Sequence, residues 1–217
     1  MREKHYSYEL ERKYYSESWP EKPVPYEHLE AYLTNWLNTE DVFNGKRVLD
    51  IGAGECAYTR LISAKFKPKE IIAADLFIKR MLPAAKNNRN GKLKFVQADL
   101  FQLPFANSSF DVVFGSLVLE QIPDLEDCIS EISRILTKKG VYVGIEANTY
   151  NPKHLFRYFF GEHSANQFLL RGKHLKVFNK YGFDLKLKYF FGRNKLIRDP
   201  FLSTLIGIKA EKIRIQL

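Results

Sequence analysis

Three aspartates and two glycines in the first half of the chain have the types and spacing of a nucleoside-binding site. Asp50 stands just before the glycine turn of Gly52 and Gly54, and Asp75 lies 21 residues after Gly54. Such a turn lets a ligand approach the backbone closely, and a helix that follows it offers unpaired amides. The Asp75 carboxylate can accept both hydroxyls of a ribose, and the Asp99 carboxylate can accept from an exocyclic amino group. The pattern therefore predicts a ligand that contains a nucleoside.

The position of Asp50 narrows the choice of ligand. A glycine pair alone fits any nucleotide-binding protein. A pyrophosphate site would avoid a carboxylate directly before the turn, whereas a cofactor with an ammonium and a sulfonium group would be attracted to it. The alternative for each aspartate is a helix cap or a solvated loop residue. Three aspartates at the ends of three predicted strands favour the ligand site.

Alternating strands and helices predict a parallel sheet that brings these aspartates to one edge. Five apolar strands separated by helices require helices on both faces of the sheet, and ligands bind beyond the carboxyl ends of such strands. Two further strands follow with no helix between them, which predicts an antiparallel pair at one edge. The predicted strands are RVLDIGAG, EIIAADL (70–76), KLKFVQADL (92–100), DVVFGSLVL (111–119), VYVGIEAN (141–148), FDLKLKYFF and FLSTLIGIKAEKI.

The predicted fold class is therefore α/β, with a Rossmann-like, doubly wound, mostly parallel sheet of seven strands and an antiparallel C-terminal strand. The helix PDLEDCISEISRILTKKG has Pro123 in its first turn, acidic residues early and lysines late, and it is predicted to end at Gly140. The helix KHLKVFNKYGFD (173–184) is predicted to end at Gly182.

The chain has the length of one domain with a short N-terminal addition. Residues 1–45 are predicted to form an irregular lead-in and a cap helix from Pro25 to about Asn38, in which Leu29 and Leu33 recur at helical spacing. Residues 46–217 are predicted to form the main domain, with an insertion at about 149–172.

Composition and charge exclude several classes of protein. The chain has 217 residues, 45% hydrophobic, and no apolar run near the length of about 18 residues that a membrane-spanning helix needs. The N-terminus lacks the apolar stretch of a secretory signal, and Cys56 and Cys128 form no CxxC pair, so a cytoplasmic location is expected. The net charge is −4 in residues 1–45, +3 in 46–150 and +10 in 151–217. The basic last third indicates an anionic partner or only a solvated face.

Four stretches of the sequence resemble the class I S-adenosylmethionine-dependent methyltransferases, and among them the methyltransferase domain type 11 group. These stretches are VLDIGAGECAYT, AADL, FVQADLFQLPFANSSFDVVFGSLVLEQIPD and EISRILTKKGVYVGIEAN. They cover residues 46–148 in the family order. The resemblance implies S-adenosylmethionine as cofactor. Ala57 stands where the family has its third glycine, and Gln121 stands where many relatives have a histidine.

The resemblance also assigns a part of the cofactor to each position. Residues at the first strand would hold the methionine end, those at the second the ribose and adenine, those at the third the adenine amino group, and Ser116 would line the methionine and the transferred methyl. In chain order, the implied cofactor residues are Asp50, Gly52, Ala53, Gly54, Asp75, Leu76, Asp99, Leu100 and Ser116. No metal site is predicted.

The acceptor of the methyl group is less well defined. A small molecule is favoured, and the basic last third suits an acceptor that bears phosphate or carboxylate. His154 and His163 lie in the predicted insertion and are candidates for a catalytic base. The alternatives are an RNA or protein methyltransferase and a non-catalytic, cofactor-binding partner subunit. The motifs of the cytosine-5 and amino-nitrogen DNA methyltransferases are absent, which disfavours nucleic acid without excluding it. The oligomeric state is left open.

Overall fold

The fold is described from a computed structural model. The structure describes residues 30, 32–34, 41–88, 91–122, 124–148, 151–152, 171–191, 195–197 and 205–213. The strands are β1 (Arg47–Ile51), β2 (Glu70–Asp75), β3 (Leu93–Gln97), β4 (Phe110–Ser116), β5 (Leu136–Ala147), β6 (Phe183–Phe191), β7 (Lys195–Ile197) and β8 (Leu205–Lys212). The helices are α1 (Ala57–Lys65), α2 (Ile78–Lys86), α3 (Leu125–Ile135) and α4 (Arg171–Lys180).

The eight strands form one sheet in the order β3-β2-β1-β4-β5-β8-β6-β7. Strands β1 to β5 pair in parallel, whereas β8 is antiparallel to both β5 and β6. This arrangement confirms the predicted mostly parallel sheet with an antiparallel C-terminal strand. The short strand β7 extends the predicted seven strands by one at the edge. Because β2, β1 and β4 are neighbours, their carboxyl ends lie side by side.

The boundary between α3 and β5 differs from the sequence-based prediction. The helix was expected to continue to Gly140, but it ends at Ile135, and β5 begins at the next residue. Leu136 is fully buried and pairs with Phe110 of β4. The Lys212 ammonium of β8 donates to the carbonyl oxygen of Leu136 at 3.1 Å, where the helix ends. Sheet pairing and burial of Leu136 therefore override the helical charge pattern of the following lysines.

The core lies on both faces of the central strands. Buried apolar side chains from β1, β2, β4 and β5 pack against α1 and α3, as continuous apolar strands in a covered parallel sheet require. Leu33 belongs to this core and is only 1% exposed, which places part of the predicted cap helix against the domain. The remainder of that helix and nearly all of the predicted insertion at 149–172 lie outside the described residues.

An arginine on α3 fixes the loop between β3 and β4. The Arg134 guanidinium donates to the carbonyl oxygens of Leu103 and Phe105 at 3.0 and 2.8 Å. It also makes a bidentate pair with Glu131, with both bonds at 2.8 Å. Glu131 in turn accepts from the backbone N–H of Leu103. These bonds anchor the loop that begins at Asp99, one of the predicted ligand residues.

Within the described parts of the chain, no helix has both the length and the apolar character that crossing a membrane requires.

Candidate functional site

The carboxylate of Asp75 joins the end of β2 to the glycine turn that follows β1. Its Oδ2 accepts from the backbone N–H of Gly54 and its Oδ1 from that of Phe77, both at 2.8 Å. The Ala53 N–H donates to the carbonyl of Ala74 at 3.1 Å, which is a second tie between the two segments. Each carboxylate oxygen has two lone pairs and uses one for these amides, so each can still accept a hydroxyl. The predicted ribose residue is therefore held in place and keeps its capacity for two more bonds.

The glycine turn has a backbone conformation that residues with a side chain could adopt only with strain. Gly52 and Gly54 have φ values of 59° and 52°, in the left-handed region. A Cβ atom on Gly52 would also lie 2.6 Å from Cγ2 of Val118, which is closer than carbon atoms can approach. The sequence motif is thus explained by backbone conformation and by close packing against the segment after β4.

Arg80 on α2 is a site residue that the sequence analysis missed. Its Nη1 lies 3.9 Å from Oδ2 of Asp75, and its side chain is only 18% exposed. A Cβ atom on Gly54 would lie 2.7 Å from Nη2 of Arg80, so the guanidinium covers this face of the glycine turn. It therefore lies at the place where a bound ribose is predicted to approach Asp75.

Asp50 is buried at the end of β1, with only 2% of its surface exposed. Its Oδ2 accepts from the hydroxyl of Thr59 on α1. Burial raises the pKa of Asp50 to about 7, the Thr59 hydrogen bond opposes that rise, and the negative charge of Asp75 adds to it. A cation brought beside Asp50 would favour its ionised form. Asp50 can thus gain negative charge when a cation binds, although it is partly neutral in the empty site at neutral pH.

The remaining predicted cofactor residues lie at the same edge of the sheet. Asp99 follows β3, and its Oδ1 accepts from the N–H of Phe101 at 3.0 Å. Ser116 is the last residue of β4, and its side chain is hydrogen-bonded to Tyr58 of α1. Both are half-buried, and so are two residues that follow the ends of β2 and β3, Leu76 and Leu100. The structure therefore brings the four strand-end segments together, as the sequence predicts.

The two candidate bases, His154 and His163, lie outside the described residues. After β4, the buried Glu120, which is 8% exposed, is a residue that the sequence analysis did not identify. Glu146 is 1% exposed, and its Oε1 accepts from the N–H of Leu119 at 3.2 Å. Burial raises the pKa of both carboxyl groups. No local motif marks this pair, because it forms only when β4 and β5 lie side by side.

Comparison with protein families identifies the segment that builds this site. Residues 49–144 match the family described as "Methyltransferase domain". This match contains the glycine turn and all three strand-end aspartates. Residues 49–144 thus resemble a methyltransferase domain, and we call this segment the methyltransferase domain.

Curated relatives of the methyltransferase domain act on different acceptors. The chain is 31% identical over 132 residues to a protein named Sterol 24-C-methyltransferase ERG6B from Gibberella zeae, covering 59% of this chain and 33% of that protein. It is 27% identical over 128 residues to the Demethylmenaquinone methyltransferase of Staphylococcus carnosus, covering 58% of this chain and 53% of that protein. The chain thus spans about a third to a half of the length of these curated relatives.

Solved structures share the fold of the methyltransferase domain at low sequence identity. An S-adenosylmethionine-dependent methyltransferase from Mesorhizobium loti superposes with a TM-score of 0.68 at 15% identity, over 86% of this chain and all of that one. At this identity the likeness supports the fold alone.

Cys56 in the methyltransferase domain has no properties of a nucleophile. Its side chain is fully buried, and burial raises the pKa of its thiol to about 12. A thiol that stays protonated at neutral pH is unreactive. Cys56 is therefore a small buried side chain that fills space beside the glycine turn.

Proposed function

We propose that the protein transfers a methyl group from S-adenosylmethionine to a small-molecule acceptor. The observation that carries this proposal is the contact between Asp75 and Gly54. It holds a carboxylate with free acceptor capacity directly beside a left-handed glycine turn. Together with the buried Asp50, this arrangement suits a ligand that combines a ribose with positive charge, and the matched family supports the same ligand.

The described residues fit this cofactor in four places. Asp75 would accept the ribose hydroxyls, Asp50 and the glycine turn would hold the methionine end, and Asp99 would meet the adenine amino group. Leu76 would pack on the adenine, the Leu100 amide would lie beside it, and Ser116 would line the methionine. When bound, S-adenosylmethionine supplies a methyl group on a sulfonium, which is a good leaving group. The work of the chain is then to bind and orient the two reactants and to exclude water.

The acceptor is proposed to be a small molecule, as the names of the curated relatives suggest. The charge of +10 in residues 151–217 favours an acceptor with a phosphate or carboxylate group. The segment 149–172, with His154 and His163, is proposed to cover the acceptor. An acceptor that loses a proton on methylation needs a base, and these histidines are the candidates for that role.

Titration calorimetry with S-adenosylmethionine and S-adenosylhomocysteine tests cofactor binding. We expect micromolar affinity, or about −8 kcal/mol. Asp75→Ala is expected to weaken binding by about 2 to 3 kcal/mol because charge-assisted bonds to two hydroxyls are lost. Asp184→Ala on β6 is the matched control, since that aspartate is exposed and far along the sheet from the site. Absence of binding by the unmodified protein would reject the proposal.

A basic last third also favours a second candidate, methylation of RNA or protein. Phosphate-backbone contacts give a steep loss of affinity with salt, whereas a small acceptor does not. A salt titration of RNA binding therefore separates the two. Transfer of a labelled methyl group to any acceptor would also exclude the role of a non-catalytic partner subunit.

A further inference from the structure

A line of buried polar groups runs along one face of β5. Tyr142 and Glu146 are four residues apart on the strand, so their side chains share a face, with Gly144 between them. A Cβ atom on Gly144 would lie 2.7 Å from the Tyr142 hydroxyl oxygen, and one on Gly115 of β4 would lie 3.2 Å from it. The phenol ring therefore extends along the strand toward Glu146 through space that two glycines leave empty.

Both side chains are buried and end in a polar atom that needs a hydrogen-bond partner. Tyr142 is 0% exposed and Glu146 is 1% exposed. Within the described part of the chain, neither the Tyr142 hydroxyl nor Oε2 of Glu146 has a hydrogen bond of good geometry, although the two groups are close enough to affect the pKa of Tyr142. Buried polar groups are nearly always paired, directly or through an ordered water. One hydrogen bond between the two groups gives both oxygens a partner, with the phenol as donor when Glu146 is ionised and with Oε2 able to donate when Glu146 is neutral.

The surroundings favour the neutral form of Glu146. Burial raises its pKa well above the usual range, and the nearby carboxyl group of Glu120 raises it further, while backbone N–H groups after β4 oppose the rise. Tyr142 and the Cys128 thiol of α3 also lie near Glu146, and burial raises the pKa of both.

The other oxygen of Glu146 holds the segment 117–122, which we call the β4–α3 loop. Oε1 accepts from the N–H of Leu119 at 3.2 Å. The loop begins with Leu117, whose φ of 54° is in the left-handed region that a leucine rarely adopts. A strained conformation persists only where surrounding contacts fix it. The Leu117 N–H bond to the carbonyl of Ile145, at 2.7 Å, and the Glu146 carboxyl are two such contacts.

We propose that Glu146 is a positioning residue whose buried carboxyl group, beside Tyr142, fixes the β4–α3 loop next to the methionine end of the cofactor. The proposal rests on the proposed function, in which Ser116 lines the methionine and the transferred methyl. Ser116 immediately precedes this loop, so a loop that moves displaces one wall of the site. In-line transfer is sensitive to small displacements of the reacting groups, which makes the rigidity of this wall a requirement of the reaction.

Two substitutions of Glu146 test the proposal, one that keeps a neutral polar group at this position and one that removes it. Glu146→Gln keeps an oxygen for the Leu119 N–H and an amide that can donate toward Tyr142. We expect backbone hydrogen exchange in the β4–α3 loop, measured by mass spectrometry, to stay within about twofold of the unmodified protein. Glu146→Leu removes both bonds, and exchange in the same loop is expected to rise at least about tenfold, with S-adenosylhomocysteine binding weakened about tenfold.

A milder pair of variants covers the case in which Glu146→Leu does not fold. Tyr142→Phe removes only the hydroxyl, and we expect loop exchange to rise by about threefold because Glu146 loses its support. The matched control is Tyr189→Phe on β6, since the Tyr189 hydroxyl is also buried and lacks a hydrogen-bond partner of strict geometry among the described residues. This control is expected to leave exchange in the β4–α3 loop unchanged.

Each outcome separates this proposal from the proposed function. Equal loop exchange in Glu146→Leu and the unmodified protein overturns the positioning role, and so does a Glu146→Gln variant that is as disturbed as Glu146→Leu, because the group would then act as a charge. An unmodified protein that does not bind S-adenosylhomocysteine overturns the proposed function. Loop exchange in the variants would still decide whether Glu146 and Tyr142 fix the loop.

Discussion

The buried Asp50 makes cofactor binding depend on pH. Its pKa is raised to about 7 by burial, so the empty site is a mixture of the neutral and ionised forms near neutral pH. A cofactor with an ammonium and a sulfonium group favours the ionised form, and binding therefore releases a proton. Affinity is expected to increase as pH rises through the pKa of the empty site.

The size of this effect follows from the fraction of ionised Asp50. With a pKa of about 7, the ionised fraction is about one tenth at pH 6 and about nine tenths at pH 8. If only the ionised form binds, affinity for S-adenosylmethionine increases about tenfold over this range, or about 1.4 kcal/mol. Calorimetry at both pH values, in buffers of different ionisation enthalpy, measures the affinity and the proton released.

Two variants identify Asp50 as the source of the pH dependence. Asp50→Asn is expected to bind more weakly and to lose the pH dependence, because no carboxyl group remains to ionise. Thr59→Val removes the hydroxyl that stabilises the charged form and is expected to move the midpoint of the profile above pH 7. A flat profile in the unmodified protein, or the same slope in Asp50→Asn, would refute this account of the site.

Three further outcomes can be measured. Gly52→Ala is expected to cost about 1 to 2 kcal/mol of unfolding free energy in urea, or more from the clash, because φ is 59°. Arg80→Ala is expected to tighten S-adenosylhomocysteine binding several-fold, since Arg80 competes for Asp75, and the exposed Lys79→Ala should change nothing. Because the pKa of Asp50 is raised, the folded protein keeps the Asp50 proton over a pH range in which the unfolded chain has lost it. The free energy of unfolding should therefore fall by up to about 4 kcal/mol as the pH rises from 3.8 to about 7. Urea unfolding of Asp50→Asn should lack this loss.

The central sheet could be predicted because its strands are buried on both faces. Four successive residues of β1, Val48 to Ile51, are buried and apolar except for Asp50, and Ile71 to Ala74 of β2 form a continuous apolar run, which half-exposed strands would not show. The strand-end aspartates could be placed for the same reason, since parallel strands carry their carboxyl ends to one edge.

Features that depend on contacts between distant segments could not be predicted. The helical pattern of α3 continues past Ile135, and only the pairing of Leu136 with β4 ends it. Arg80 has the sequence context of a solvated helix face, and its contact with Asp75 arises from the packing of α2 against the turn. Glu146 of β5 and Glu120 of the β4–α3 loop become a buried pair only because β4 and β5 are neighbours in the sheet. In each case the tertiary neighbour, and not local sequence, determines the structure.

The position of β8 has a consequence for synthesis of the protein. It is the last of the described strands to leave the ribosome, yet it lies inside the sheet, between β5 and β6. Until β8 is inserted, β5 has an open edge, and β6 lacks the strand that joins it to the rest of the sheet. Open edges are templates for pairing between chains. The nascent chain is therefore most prone to aggregation just before β8 emerges, and a chaperone that shields strand edges would be most useful at that moment.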